Sequence, residues 1–261
     1  MRISFFEEFP TSANLQKLKL VTWPTKLYVA AKSLKEFEEI AAKIRKLAKH
    51  KLVTEIIYWP ILEKKDGYWI SPWANSTTLR NLFHSLLHRK NKKPLSVMLD
   101  LEPPKEKMQL FTRMPMMHIN KRKIQKFLYH APEHNIKVYA VELSHLSPRI
   151  LRMIGLSYSS QKFKQQRIGM YYTSFIRLLL PQHLVEERFI HKVKECVQNK
   201  MFLGIGLIAP GVYKIEPTYD ADTLQTELKI AQEKGIKEVI IFRLGGLHKK
   251  FMKVIQQAIK S

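Results

Sequence analysis

Short runs of β-branched and aromatic residues alternate with longer segments of helical periodicity along the whole chain. The short runs are almost continuously apolar, which is typical of parallel strands that helices cover on both faces. The pattern therefore predicts strands at 3–6, 27–30, 55–59, 95–101, 137–143, 168–173, 202–208 and 238–243.

Helix start signals stand between these runs, because a side-chain oxygen at a helix start can satisfy backbone N–H groups that lack an intrahelical partner. Ser33 and Glu36 have the spacing of a capping box, and Ser147 precedes Pro148 at a first helical position. Asp220 or Asp222 opens a helix that Gly235 closes. Further helices are predicted at 77–89, 121–129, within 177–200, and at 249–260.

Eight strand and helix units in 261 residues match a (β/α)8 barrel. The alternative, a doubly wound sheet, is disfavoured because no Gly-x-Gly-x-x-Gly follows the first strand. No linker, repeat or low-complexity tract interrupts the pattern. We therefore predict a single TIM-barrel domain over residues 1–261.

Composition narrows the class of protein further. One cysteine, Cys196, excludes a disulfide scaffold, and no His and Cys spacing is that of a zinc site. No apolar run has the roughly 18–20 residues needed to cross a bilayer, so we expect no transmembrane segment and a cytoplasmic protein. We also expect no metal and no cofactor.

The strand ends supply the candidate chemistry, because the active sites of such barrels lie at the carboxyl ends of the strands. Asp100 and Glu102 end the fourth strand, and side-chain alternation points both carboxylates the same way. Like charges at short range raise the pKa of one carboxyl, which leaves an acid beside an ionised partner, as glycosidic bond cleavage requires.

At this position the chain resembles the chitinase-like glycoside hydrolases, whose barrels carry Asp-x-Glu at the end of strand four. The resemblance implies that Glu102 is the general acid, that Asp100 orients a substrate acetamido group, and that Tyr171 or Tyr172 assists. The family pattern has further aspartates upstream, where this chain has Ser96 and Met98, and a tryptophan on strand eight, where it has Phe242-Arg243.

A double-displacement mechanism is the alternative, with Glu102 as acid/base and Glu142 or Glu7 as nucleophile. Aromatic faces of the third βα loop would stack on sugar rings, and they are equally compatible with a small core under that loop. The predicted substrate is therefore a carbohydrate, and its binding residues are Glu7, Trp59, Trp69, Trp73, Tyr171 and Arg243.

Two other function classes stay open. In a metal-dependent isomerase or phosphoesterase, a divalent cation would bind among Glu7, Asp100, Glu102, Glu142 and His145. In that class the glycine-rich run that begins at Arg243, residues 243–246, would hold a phosphate. Alternatively, Arg243 neutralises the carboxylates.

The third class follows from charge. Lys and Arg number 45 against 22 Asp and Glu, which gives a net charge of +23. A non-catalytic barrel would bind an anionic polymer weakly through a basic face opposite the active site. That face is predicted from clusters in the αβ loops, namely Lys49, Lys51, 88–93, Lys162, Lys164, Arg167, Lys200, Lys234 and Lys237.

Overall fold

The apolar runs form parallel strands, and these close into a barrel in chain order from β1 to β8. The computed structural model describes residues 1–47, 52–104, 106, 108–143 and 147–260. The strands are β1 (Arg2–Glu7), β2 (Thr25–Ala31), β3 (Val53–Pro60), β4 (Leu95–Leu101), β5 (Ile136–Leu143), β6 (Gln166–Met170), β7 (Phe202–Gly206) and β8 (Glu238–Phe242). The predicted (β/α)8 barrel is confirmed.

Helices follow the strands as the periodicity predicts. The α-helices of the described residues are α1 (Ser12–Gln16), α2 (Leu34–Leu47), α3 (Ser76–Leu87), α4 (Met108–Thr112), α5 (Met117–His130), α6 (Pro148–Ile154), α7 (Ser160–Phe163), α8 (Thr173–Ile176), α9 (Gln182–Gln198), α10 (Ala221–Glu233) and α11 (Lys249–Lys260). In the part of the chain that the structure describes, no helix is both long enough and apolar enough to span a bilayer. The cytoplasmic location stays a prediction.

The predicted caps form. Ser147 accepts a hydrogen bond from the Ile150 amide at the start of α6, and Asp220 accepts one from the Thr223 amide at the start of α10. The Ser33 hydroxyl accepts from the Glu36 amide, while the Glu36 carboxylate accepts from the amide one residue before Ser33. Each contact satisfies an N–H group that the helix itself leaves without a partner.

Contacts between Cα atoms divide the chain into two compact units, each discontinuous in sequence. The first unit is Met1–Val29, Glu39–Ile56 and Ile168–Ser261, and the second unit is Ala30–Glu38 and Ile57–Arg167. The organisation as one domain stays a prediction.

Each unit has its own buried interior. In the first unit, the Lys26 ammonium lies 2.7 Å from the Glu238 carboxylate, which also accepts a hydrogen bond from Ser4. In the second unit, the rings of Phe83 and Phe127 stack at 4.4 Å between α3 and α5. An ion pair on strands and an aromatic stack between helices thus stabilise the two interiors by different means.

Candidate active site

The fourth strand directs Asp100 away from the helices. Tyr58 stacks on Phe37 of α2 at 5.0 Å, so it faces the helical layer, and it is in register with Val97 of β4. Because side chains alternate along a strand, Leu99 and Leu101 share the face of Val97, and Asp100 points to the barrel interior. Asp100 is 3% exposed.

Glu102 follows Asp100 two residues later, just beyond the end of β4. Its side chain is partly buried, whereas Asp100 is almost fully buried. The two carboxyl groups of the predicted pair therefore differ in their access to water.

Trp59 occupies the corresponding face of the neighbouring strand. It follows Tyr58 directly, so it points to the interior where Tyr58 points to the helices, and it is 3% exposed. Trp59 and Asp100 thus line one face of adjacent strands.

The other two tryptophans of the predicted sugar-binding loop are buried. Trp73 packs with Leu151 and Leu156 in a hydrophobic cluster, and Trp69 meets Tyr68 edge to face at 5.3 Å. Both are less than a tenth exposed. These contacts are those of a small core under the loop, which is the second of the two interpretations that the sequence allows.

The side chains of Glu142 and Asp100 point to opposite sides of the sheet. The register pairs Leu101 with Glu142 and Asp100 with Val141, so Glu142 shares the helix-facing side. Arg167 donates two hydrogen bonds to its carboxylate, from Nε at 2.8 Å and from Nη2 at 2.7 Å. Arg167, which the sequence pattern assigns to a basic loop cluster, is instead an ion-pair partner.

Glu7 of the first unit is fully buried and accepts hydrogen bonds on both oxygens. Oε1 accepts from the Phe9 amide at 2.8 Å and from Asn14 at 3.3 Å, and Oε2 accepts from the Gly245 amide at 2.6 Å. Arg243 adds an ion pair at 3.2 Å. Burial raises the pKa of Glu7, although Arg243 and the backbone donors lower it.

The glycine-rich run after β8 serves this same network. The Gly245 amide binds Glu7, and Arg243 donates to the Pro210 carbonyl as well as to Glu7. A Cβ on Gly246 would lie 2.1 Å from the Ile208 carbonyl oxygen, so the backbone approach there excludes any side chain.

The two tyrosines at the end of β6 point in opposite directions. Tyr171 lies 6.3 Å from Phe189 of α9 and faces the helices, and burial raises its pKa. Tyr172 lies 5.9 Å from Phe242, which is also 6.4 Å from Phe6. Tyr172 therefore belongs to an interior aromatic group of the first unit.

A second carboxylate pair, Glu8 and Glu216, lies in the first unit and is not among the site residues predicted from the sequence. A Cβ built on Gly211 would lie 3.1 Å from Glu8 Oε2, from Glu216 Oε1 and from the Phe242 ring. The two oxygens are therefore at most twice that distance apart. Both residues are less than a tenth exposed, and Glu216 Oε1 also accepts from the Tyr213 amide at 2.9 Å.

Glu8 and Glu216 are separated by more than two hundred positions, so no local motif reveals the pair. The available signal is positional. Glu8 follows β1 and Glu216 lies in the loop after β7, which are both strand ends.

A buried network holds the segment that carries Glu216. Tyr219 at the end of that loop donates to Glu227 of α10 at 3.0 Å, and Thr173 hydrogen-bonds to both Tyr219 and Glu227. Burial raises the pKa of Glu227 to about 8, although the two hydroxyl donors and the nearby Arg177 lower it.

The residues of the metal alternative do not assemble into a ligand set in the described ranges. Among these residues, no three His, Cys, Asp or Glu side chains are placed to hold a metal ion. His145 lies outside the described residues. The absence of a metal and of a cofactor stays a prediction.

The predicted basic face is described in part, since Lys49 and Lys51 lie outside the described residues. Arg89 donates to the carbonyl oxygens of Leu86, Lys93 and His134, so it joins α3 to the segments before β4 and β5. Arg89 and Arg167 thus make structural contacts, and weak binding of an anionic polymer stays a prediction.

No protein-family model and no curated protein matches the sequence. Solved structures with a similar fold include the glycoside hydrolase domain of PgaB (BpsB) from Bordetella bronchiseptica, with a TM-score of 0.56 and 9% identity over 99% of this chain and 97% of that one. The spore cortex-lytic enzyme SleL from Bacillus megaterium QM B1551 has a TM-score of 0.57 and 11% identity over 98% of this chain and 73% of that one.

A D-tagatose 3-epimerase-like protein is similar to the same degree, with a TM-score of 0.53 and 12% identity over 100% of this chain and 97% of that one. At such identities the likeness defines the fold alone. The chain is thus a (β/α)8 barrel whose structural neighbours include glycoside hydrolases, and the resemblance seen in the sequence is supported at the level of fold.

Proposed function

We propose that the protein is a glycoside hydrolase in which Glu102 is the general acid and Asp100 its ionised partner. The observation that carries the proposal is the placement of Asp100 on the interior face of β4, at the strand end, with Glu102 two residues beyond it. Strand ends of this kind hold the catalytic groups of TIM-barrel enzymes.

The proposed reaction breaks the bond between the anomeric carbon and the glycosidic oxygen. Glu102 gives its proton to that oxygen as the leaving group departs as an alcohol. Water then supplies the hydroxyl that the anomeric carbon gains, and the proton that water loses returns to the carboxylate pair. Asp100 stabilises the positive charge that develops on the sugar ring.

Glu142 does not act as a nucleophile in the proposed mechanism. Its two hydrogen bonds to Arg167, on the helix-facing side, suit a carboxylate that fixes β5 to β6. Glu7 likewise has both oxygens engaged by donors of the first unit. We therefore assign both residues to positioning the strand ends.

The pair of Glu8 and Glu216 is the alternative source of the two carboxylates for the same reaction. Their oxygens approach one point at 3.1 Å, and the carboxyl groups of retaining glycosidases are about 5–5.5 Å apart. Glu216→Gln distinguishes the two assignments, because it abolishes hydrolysis only if Glu216 is one of the reacting groups.

The test is hydrolysis of a panel of aryl glycosides that includes N-acetylglucosaminides. We expect wild type to cleave at least one of them and Asp100→Asn to lose at least about a hundredfold in kcat/KM. Asp222→Asn, at an exposed position of α10, is the matched control and should keep wild-type activity. Failure of wild type on every glycoside, or an active Asp100→Asn variant, would contradict the proposal.

A further inference from the structure

Among the described residues of the second unit, seven large apolar side chains besides Tyr129 are exposed on the segments that follow β4 and β5. Phe111 and Met108 of α4 are 72% and 71% exposed, and Met153 of α6 is 68% exposed. We call the full set the apolar patch: Met108, Phe111, Met114, Met116, Ile119, Ile150 and Met153. Exposed apolar surface of this extent marks an interaction site more often than chance.

The segments that carry the apolar patch rest on one underlying cluster. Leu110 of α4, Met117 of α5 and Ile154 of α6 pack against the buried group of Trp73, Leu151 and Leu156. Lys121 of α5 also donates to the carbonyl oxygens of Arg152 and Met153 at the end of α6, each at 2.9 Å. These contacts fix α4, α5 and α6 to one another, so one packed group of helices carries the apolar patch.

Cations alternate along the chain with the side chains of the apolar patch. Residues 108–126 and 147–155 contain seven Lys and Arg and no Asp or Glu. Arg122, Lys126, Arg149 and Arg152 are exposed. The patch therefore combines apolar side chains with a local excess of positive charge, inside a chain whose net charge is +23.

We propose that the apolar patch docks on the surface of an anionic lipid bilayer. Apolar side chains that enter the interface and Lys or Arg that meet anionic headgroups are the two contributions that hold a protein on such a surface. Methionine suits this role because its unbranched side chain adapts to a fluid partner.

The charge pattern disfavours a second copy of the chain as the occupant. A two-fold contact through the patch would bring the same seven cations of both copies together with no carboxylate from the same segments to neutralise them. An anionic bilayer supplies negative charge to the exposed ones among them, Arg122, Lys126, Arg149 and Arg152. This inference is independent of the proposed reaction, since none of the seven apolar side chains belongs to the proposed site.

Co-sedimentation with vesicles tests the proposal on the full chain. We expect wild type to bind vesicles of phosphatidylcholine mixed with phosphatidylglycerol and to bind phosphatidylcholine alone at least tenfold less. The double variant Phe111→Gln with Met153→Gln should bind the anionic vesicles at least tenfold less than wild type. Its melting temperature should be unchanged, because both side chains are exposed.

Leu178→Gln with Leu179→Gln is the matched control. These leucines of the first unit are 72% and 82% exposed and lie outside the apolar patch, so their replacement should leave vesicle binding unchanged. A second comparison isolates charge: Arg122→Gln with Arg149→Gln should weaken binding more than Lys249→Gln with Lys253→Gln, which removes the same charge from α11.

Three results would overturn the proposal. The first is a wild type that does not sediment with the anionic vesicles, which would leave an acidic protein as the better candidate partner. The second is a Phe111→Gln, Met153→Gln variant that binds as wild type does. The third is a wild-type dimer in solution that this double variant converts to a monomer.

Discussion

Arg167 and Glu142 form a two-point ion pair on the helix-facing side of the barrel wall, with nitrogen to oxygen distances of 2.8 and 2.7 Å. The Glu142 side chain is 2% exposed and the Arg167 side chain is 12% exposed. Removing one member of a buried pair leaves the other charge without compensation, which costs about 3 kcal/mol or more.

The first prediction follows from this pair. Glu142→Gln should lower the free energy of unfolding by about 3 kcal/mol, and it should keep glycosidase activity below its melting temperature, because the carboxylate faces away from the interior. Denaturant unfolding and hydrolysis measured together check this. An inactive variant of unchanged stability would restore Glu142 as the nucleophile.

For Glu142, part of the environment could be predicted from the sequence and part could not. The eight strands were predictable because apolar runs and helix caps are local signals, and β4 is observed at the predicted bounds. Strand alternation places Glu142 beside Leu101 and opposite Asp100, so its direction could have been inferred from the register of neighbouring strands. Its partner could not, because Arg167 comes from a strand start 25 positions away.

The sequence also could not predict that the carboxylates of Glu8 and Glu216 lie close together. It depends on the path of the loop after β7 and on the space left by Gly211, and both are set by tertiary packing. The glycine-rich run after β8 illustrates the same point, because its Gly245 amide binds a carboxylate of the chain itself.

The second prediction concerns the ion pair inside the first unit. Lys26→Met should lower the free energy of unfolding by up to about 3 kcal/mol, because it removes the buried cation 2.7 Å from Glu238 and leaves the half-exposed Arg2, at 3.4 Å, as a weaker ion-pair partner. Lys32→Met is the matched control, since the Lys32 and Glu63 side chains are more than half exposed and their pair contributes little. Equal losses in both variants, measured by denaturant unfolding, would contradict the prediction.

The third prediction is a pH dependence of stability. The pKa of Glu227 is about 8 in the folded protein and about 4.3 in an unfolded chain. Between these values the folded state binds the extra proton, so Glu227 makes stability fall as the pH rises from about 4 to about 8, by a total on the order of 5 kcal/mol.

Melting temperatures of wild type and Glu227→Gln check this dependence. The melting temperature of Glu227→Gln relative to that of wild type should rise progressively between pH 5 and pH 8, because the amide does not titrate. Glu233→Gln, at an exposed position on the same helix, should show the wild-type profile. A constant difference between Glu227→Gln and wild type across this range would show that Glu227 does not titrate there.

The fourth prediction concerns metal. A chelator should leave the melting temperature and the rate of hydrolysis unchanged, because the proposed reaction needs only proton transfer and charge stabilisation by carboxyl groups. A loss of activity that a divalent cation restores would favour the metal-dependent isomerase or phosphoesterase.

The fifth prediction concerns Glu102, the proposed proton donor. Glu102→Gln should keep or raise the melting temperature, because the amide has the shape of a protonated carboxyl and cannot place a second negative charge near the buried Asp100. It should also lose about 10²–10⁴ in kcat on aryl glycosides whose leaving groups need protonation.

The most direct measurement compares wild type and Glu102→Gln on two aryl glycosides that differ only in the leaving group. We expect Glu102→Gln to lose activity severely on phenyl glycosides and much less on dinitrophenyl glycosides, whose leaving group departs without a proton. An equal loss on both substrates, or a variant that is destabilised and as active as wild type, would contradict the assignment of Glu102 as the general acid.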